Sequence, residues 1–99
     1  MASYRITNKA VEDLTNIYTY TFQTWSEKQA DLYYAMLIEC FQEIANKPIV
    51  GKKYPEVDED VLGVHINRHI VFYRCILNSH VEIIRILHDS MDLIVRMHE

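Results

Sequence analysis

The sequence predicts an α+β fold: a strand, an antiparallel helical hairpin, then an antiparallel meander, with the hairpin laid on one face of the sheet. Three observations predict it. Two runs of apolar residues at helical spacing are separated by a capping signal. Three strand-like runs near the end are parted by turn residues. With Gly 2 and Pro 2, the 99 residues form long regular elements with few turns, in one domain spanning residues 1–99.

Ala2 to Ile6 is a short candidate strand with Tyr4 and Ile6 on one face. A helix starts near Thr7 or Asn8, both competent N-caps. Its apolar stripe is Ala10, Leu14, Ile17, Thr21 and Trp25, widened by Val11, Tyr18 and Phe22, which predicts a broad buried face. Glu12 and Asp13 suit the positive end of its macrodipole. Ser26 to Gln29 reads as a capping box, so a second helix starts at once and the join forces a hairpin. Ala30, Tyr33, Tyr34, Leu37, Phe41 and Ile44 form its inward stripe, and Leu32, Met36 and Cys40 a second apolar row. Pro48 stops it, because the residue before a proline disfavours the helical conformation.

Ile49 to Gly63 is the one substantial loop. Strands follow at Val64–Asn67, Ile70–Leu77 and Val81–His88, with Asn67-Arg68-His69 and Asn78-Ser79-His80 as hairpin turns. Met91 to His98 is a short tail suited to a helix capped by Asp89 or Ser90. The last strand breaks the expected pattern. Strict alternation places Val81, Ile83, Arg85 and Leu87 on one face and Glu82, Ile84, Ile86 and His88 on the other. Neither is a solvent face, so either this chain covers both sides of the sheet or another protein covers one.

Arg74 and Arg85 lie within apolar strands, where an unpaired guanidinium is costly. Glu82 is an internal partner and a second protein's carboxylate the other. The doubly apolar strands favour the second protein. Cys40 and Cys75 sit in apolar runs and read as reduced and buried. No apolar run reaches the roughly 18–20 residues of a membrane span, and no signal peptide is visible, which predicts a cytosolic protein. A net charge of −4 with scattered basic residues argues against direct DNA binding by this chain.

The five histidines lack metal-ligand spacing, so no metal or cofactor is expected. A general acid–base ribonuclease site would use His88, Arg85 and Tyr73, with imidazole moving protons and arginine stabilising a pentacovalent phosphate. The plainer reading has His88 and Asp89 ending a strand, and the acidic chain favours it. The tyrosines at 18, 33 and 34 fall at helical spacing and read as contacts between helices.

Three segments carry a family resemblance: Thr7 to Tyr20, Trp25 with Gln29-Ala30 and Tyr33, and Val71 to Arg74 together with Arg85-Ile86-Leu87-His88-Asp89-Ser90-Met91-Asp92. In these the chain resembles ParE-type toxins of the ParE/RelE toxin–antitoxin superfamily, over nearly its whole length. The resemblance implies a β-α-α-β-β-β fold, inhibition of DNA gyrase with a block of replication, and neutralisation by a ParD-like antitoxin. RelE-like relatives cut mRNA on the ribosome with basic residues around the sheet. That set has no counterpart in the His88-Asp89-Ser90 ending, which favours the gyrase-directed branch and a non-enzymatic toxin. Arg68, Arg74 and Arg85 are then expected to bond antitoxin carboxylates, and Leu32, Met36 and Tyr54 to dock apolar side chains.

Overall fold

The computed structural model describes residues 2–48, 51–77 and 80–99. Its helices begin where the caps place them. Thr7 is extended and accepts the Ala10 amide at 3.1 Å, opening α1 (Asn8–Thr24). Ser26 accepts the Gln29 amide at 3.1 Å and opens α2 (Glu27–Asn46), leaving Trp25 and Ser26 as the whole connection. α2 ends two residues before Pro48.

The strands β1 (Ser3–Ile6), β2 (Lys52–Lys53), β3 (Leu62–Ile66), β4 (His69–Leu77) and β5 (His80–His88) form one sheet in the order β1-β5-β4-β3-β2. A short α3 (Leu93–Met97) follows. The sheet is antiparallel except that β1 pairs parallel with β5, Ser3 opposite His80 and Ile6 opposite Ile83. The β3–β4 turn is tighter than expected. Asn67 takes a positive φ of 51°, which asparagine tolerates, and His69 already belongs to β4. Of the second predicted turn, Asn78 and Ser79 lie outside the described residues, and His80 opens β5.

Two clusters of buried side chains sit on opposite faces of the sheet. On one face the hairpin supplies Ala10, Leu14, Leu37, Phe41 and Ile44 against Val71, Tyr73, Val81, Ile83 and Ile86. Full burial of a side chain such as Leu37 or Phe41 stabilises by roughly 1.5–3 kcal/mol. On the other face Ile70, Phe72 and Leu87 lie beneath Tyr54, Val57 and Val61, with Ile84, Leu93 and Met97 packed alongside. This second cluster corrects the expectation of a sheet face left for a partner. The segment predicted as a plain loop carries β2 and a turn, in which the Val57 and Asp58 amides donate to the Tyr54 carbonyl at 2.9 and 3.1 Å. That turn drives Val57 and Val61 onto the sheet. Ile49 and Val50 of the predicted loop lie outside the described residues.

The doubled apolarity of β5 has a local cause. Tyr73 pairs with Ile83 but Phe72 pairs with Arg85, so Ile84 is an extra residue and the strand bulges there. The bulge reverses the alternation, giving Val81, Ile83 and Ile86 to the hairpin face and Ile84 and Leu87 to the other. The predicted groupings of residues 85–88 are therefore exchanged between faces.

Other expectations are corrected along the hairpin and tail. Of the α1 stripe only Ala10 and Leu14 are buried, while Trp25 is 73% exposed and Val11 and Phe22 are also exposed. The distal end of the hairpin packs on itself, with Tyr18 against Phe22 and Tyr34 at ring distances of 6.3 and 6.2 Å. Asp92, and neither Asp89 nor Ser90, caps α3 by accepting the Val95 amide. Cys40 is buried, and burial pushes its thiol up to about 11, whereas Cys75 is exposed.

Candidate interaction surface and the C-terminal polar cluster

β1 ends opposite Ile83, so the rest of β5 has no strand on that side. The start of α1 closes this edge. Thr7 donates its hydroxyl to the Ile84 carbonyl at 2.9 Å, and the Ile86 amide donates to Asp13 Oδ2 at 3.0 Å. Arg85 turns toward the same carboxylate, donating Nε to Oδ2 at 2.8 Å and Nη2 to Oδ1 at 3.0 Å. Its Nη1 donates to the Arg96 carbonyl in α3. The hydrogen bond to Asp13 raises the guanidinium pKa further, against the opposing effect of burial. Arg85 is thus a buried clasp joining α1, β5 and α3. It is corrected both as an antitoxin contact and as a nuclease residue, because its donors face groups of its own chain. Asp13 was read from sequence only as a macrodipole residue. The signal that could have found its role is a buried arginine needing a carboxylate.

Tyr73 is fully buried on the hairpin face, with its hydroxyl donating to the Pro48 carbonyl at 2.6 Å and accepting the Gly51 amide at 2.9 Å. Burial raises its pKa. Phosphate chemistry is closed to it, and the three residues of the ribonuclease reading do not converge. His88, at the sheet end, is part-exposed; its Nδ1 accepts the Ser90 amide at 3.1 Å and lies 2.7 Å from the Ser90 hydroxyl. Around it, His65 Nε2 meets Asp89 Oδ2 at 3.0 Å, and the His69 and His88 rings stand 5.3 Å apart. The Tyr33 hydroxyl lies 2.6 Å from His69 Nδ1. Burial, then the neighbouring His88, lowers His69 to about 4, so the ring is neutral at pH 7 beside the Tyr33 hydroxyl, which also donates to the Ile66 carbonyl at 3.3 Å. Burial likewise pushes Tyr33 up to about 12, so it keeps its proton. The cluster joins α2 to the ends of β3, β4 and β5. Among the described residues no group of three or more candidate ligands is placed to hold a metal ion.

The other expected contact residues divide. Leu32 and Met36 are exposed on the outer row of α2, at 55% and 42%. Met36 Sδ accepts Asn67 Nδ2 at 3.4 Å, which brings this row to the β3–β4 turn beside the exposed Arg68. Tyr54 is buried edge-on against Phe72 at 5.1 Å, so its expected docking role is corrected: it is second-face core. Arg74 is partly exposed beyond the second cluster and pairs across the ladder with Glu82. Sequence reasoning missed the exposed Trp25 and Phe22, which continue the apolar surface at the hairpin tip.

The arrangement resembles a solved structure described as the chromosomal ParDE TA system from P. aeruginosa, with a TM-score of 0.75 over 89% of this chain and 96% of that one, at 20% identity. That likeness is one of fold: a strand, a helical hairpin and a small sheet. The family model described as "ParE toxin of type II toxin-antitoxin system, parDE" matches residues 4–93. Toxin ParE1 of Caulobacter vibrioides is 36% identical over 92 residues, 93% of this chain and 94% of that protein. Toxin ParE1 of Mycobacterium tuberculosis is 26% identical over 90 residues, 91% and 92% of the two chains. The chain belongs to the ParE toxin family of type II toxin–antitoxin systems.

Proposed function

We propose that this ParE-family toxin acts in the cytoplasm by binding DNA gyrase and blocking replication, without catalysing a reaction, and that a ParD-like antitoxin neutralises it. Family membership supports the reading. The observation that carries it over ribonuclease activity is the use of Arg85 and Tyr73 as interior residues on opposite sides of the sheet. A cutting site needs a free cation and a proton-transfer group around one phosphate. Of the three candidates only His88 is left near solvent.

The antitoxin segment would dock on the apolar row of α2, Leu32 and Met36, with Arg68 at its rim to take a carboxylate. The hairpin tip extends this surface. A purified gyrase supercoiling assay run beside a ribosome-dependent mRNA cleavage assay tests the reading. Lost supercoiling with intact mRNA is the expected pair of results; cleaved mRNA with supercoiling intact overturns it.

A further inference from the structure

The β3–β4 turn is fastened to α2 through an imidazole. His69, the first residue of β4, stands directly opposite His88 at the end of β5, and their rings meet edge to face at 5.3 Å. From α2, Tyr33 places its hydroxyl 2.6 Å from His69 Nδ1 and 3.3 Å from the Ile66 carbonyl, spanning the two sides of the turn. Two more bonds anchor the turn: Asn67 Nδ2 donates to Met36 Sδ of α2 at 3.4 Å, and the Arg68 carbonyl accepts the Asp89 amide at 2.8 Å. Imidazole changes charge near neutral pH, and a charged His69 finds its neighbours already engaged. Asp89 is bonded to His65 at 3.0 Å, and Asp13 of α1 to Arg85 at 2.8 Å. Tyr33, pushed up by burial to about 12, stays a neutral phenol and offers no counter-charge. Across the ladder His88 is a second imidazole, so two charged rings would repel. The cavity of about 650 Å3 that His69 helps to line adds Lys9, Glu12 and Tyr20 of α1 and Arg96 and Glu99 of the tail, whose charges balance.

We propose that the His69–His88 pair is an acid-released catch. When His69 takes a proton from solvent its imidazolium leaves the seat beside Tyr33 for water, and the β3–β4 turn with Arg68 comes away from α2. The sign follows from desolvation. The seat holds the neutral ring, whereas the released ring titrates in its ordinary range, so release is favoured below pH 6.5 and grows as pH falls toward 4. The catch sits where Met36 meets the turn, so acid loosens one end of the row proposed above for an antitoxin. That consequence alone rests on the toxin–antitoxin reading. The rival source of a pH response at this turn is the His65–Asp89 pair, which loses its attraction when Asp89 is protonated.

The test is native-state amide hydrogen exchange on the full chain from about pH 7 to about pH 4.5, expressed as an opening equilibrium so that the intrinsic exchange rate cancels. The Asp89 amide, bonded to the turn, reports release, and Val81, inside the β4–β5 ladder, reports opening of the whole fold. Opening at Asp89 is expected to exceed that at Val81 and to be insensitive to sub-denaturing urea, since a local release exposes little surface. It should rise by up to about tenfold per pH unit below about pH 6. His69→Gln should remove most of this rise. His88→Gln, which keeps the titrating ring and removes its like charge, should reduce it, and His65→Gln should leave it. Asp89 opening that only matches Val81, that does not vary with pH, or that keeps its pH dependence in His69→Gln overturns the inference. So does an unchanged dependence in His88→Gln, or its loss in His65→Gln, which assigns the response to the His65–Asp89 pair. None of these results bears on the supercoiling assay, so failure of the catch and failure of the toxin reading are read separately.

Discussion

Asp13 takes three donors, the Arg85 Nε and Nη2 and the Ile86 amide, and so ties α1 to β5 through one carboxylate. Asp13→Asn leaves a buried guanidinium without its counter-charge and should cost about 3–5 kcal/mol, read as a lowered urea midpoint. The double change Asp13→Leu with Arg85→Met should recover much of that loss, because the desolvation cost leaves with the charges. Gly51 shows a second residue-scale constraint. A Cβ there would land on the Tyr73 hydroxyl, so Gly51→Ala should lose about 1–3 kcal/mol, and Tyr73→Phe in the same chain should return part of it. His69 gives the pH dependence. Its pKa falls from 6.5 to about 4 on folding, so the unfolded chain binds the proton more readily. Stability is then fully present above pH 6.5 and is lost as pH falls from there toward 4. Allowing for solvent at the part-exposed ring, the loss should be about 2 kcal/mol in denaturation series across that window, and His69→Phe should flatten it.

At the scale of elements, the bulge at Ile84 and the end of β1 work together. The bulge sets the two faces of β5, and the shortness of β1 opens an edge that Thr7 and Asp13 fill from α1. Amide hydrogen exchange at Ile86 should accordingly accelerate in Asp13→Asn, while Val81, inside the β4–β5 ladder, keeps its protection. Much at this scale was legible in the sequence. The Thr7 and Ser26 caps, the Pro48 stop and the three main strands are short-range signals and fall where expected. What was not legible is non-local. A bulge appears in sequence as an odd apolar residue, indistinguishable from a surface awaiting a partner, and so Ile84 was read as a missing protein. Val57 and Val61 looked like loop residues because their two-apolar pattern among Glu56, Asp58, Glu59 and Asp60 has no period. Trp25 looked buried because its spacing fits the α1 stripe, but the stripe outruns the sheet it packs on. Arg85 needed a partner, and Asp13, 72 residues away, is one that spacing alone cannot choose.

For the whole molecule, buried clusters on both sheet faces leave much of the exposed large apolar surface on the hairpin. Trp25, Phe22, Leu32, Tyr34 and Met36 are exposed there. The free chain should therefore self-associate in light scattering, and replacing Trp25 and Leu32 together by Gln should reduce it; a monodisperse wild-type monomer would count against that surface. The central claim is that the toxin acts by occupying its target. It is tested most directly by titrating the purified chain into a gyrase supercoiling assay at several gyrase concentrations, with mRNA and ribosomes assayed in parallel. Supercoiling should stop at amounts of toxin that rise in proportion to gyrase, return on addition of the antitoxin, and leave the mRNA whole. Multiple-turnover cleavage of mRNA with supercoiling unaffected would contradict the account.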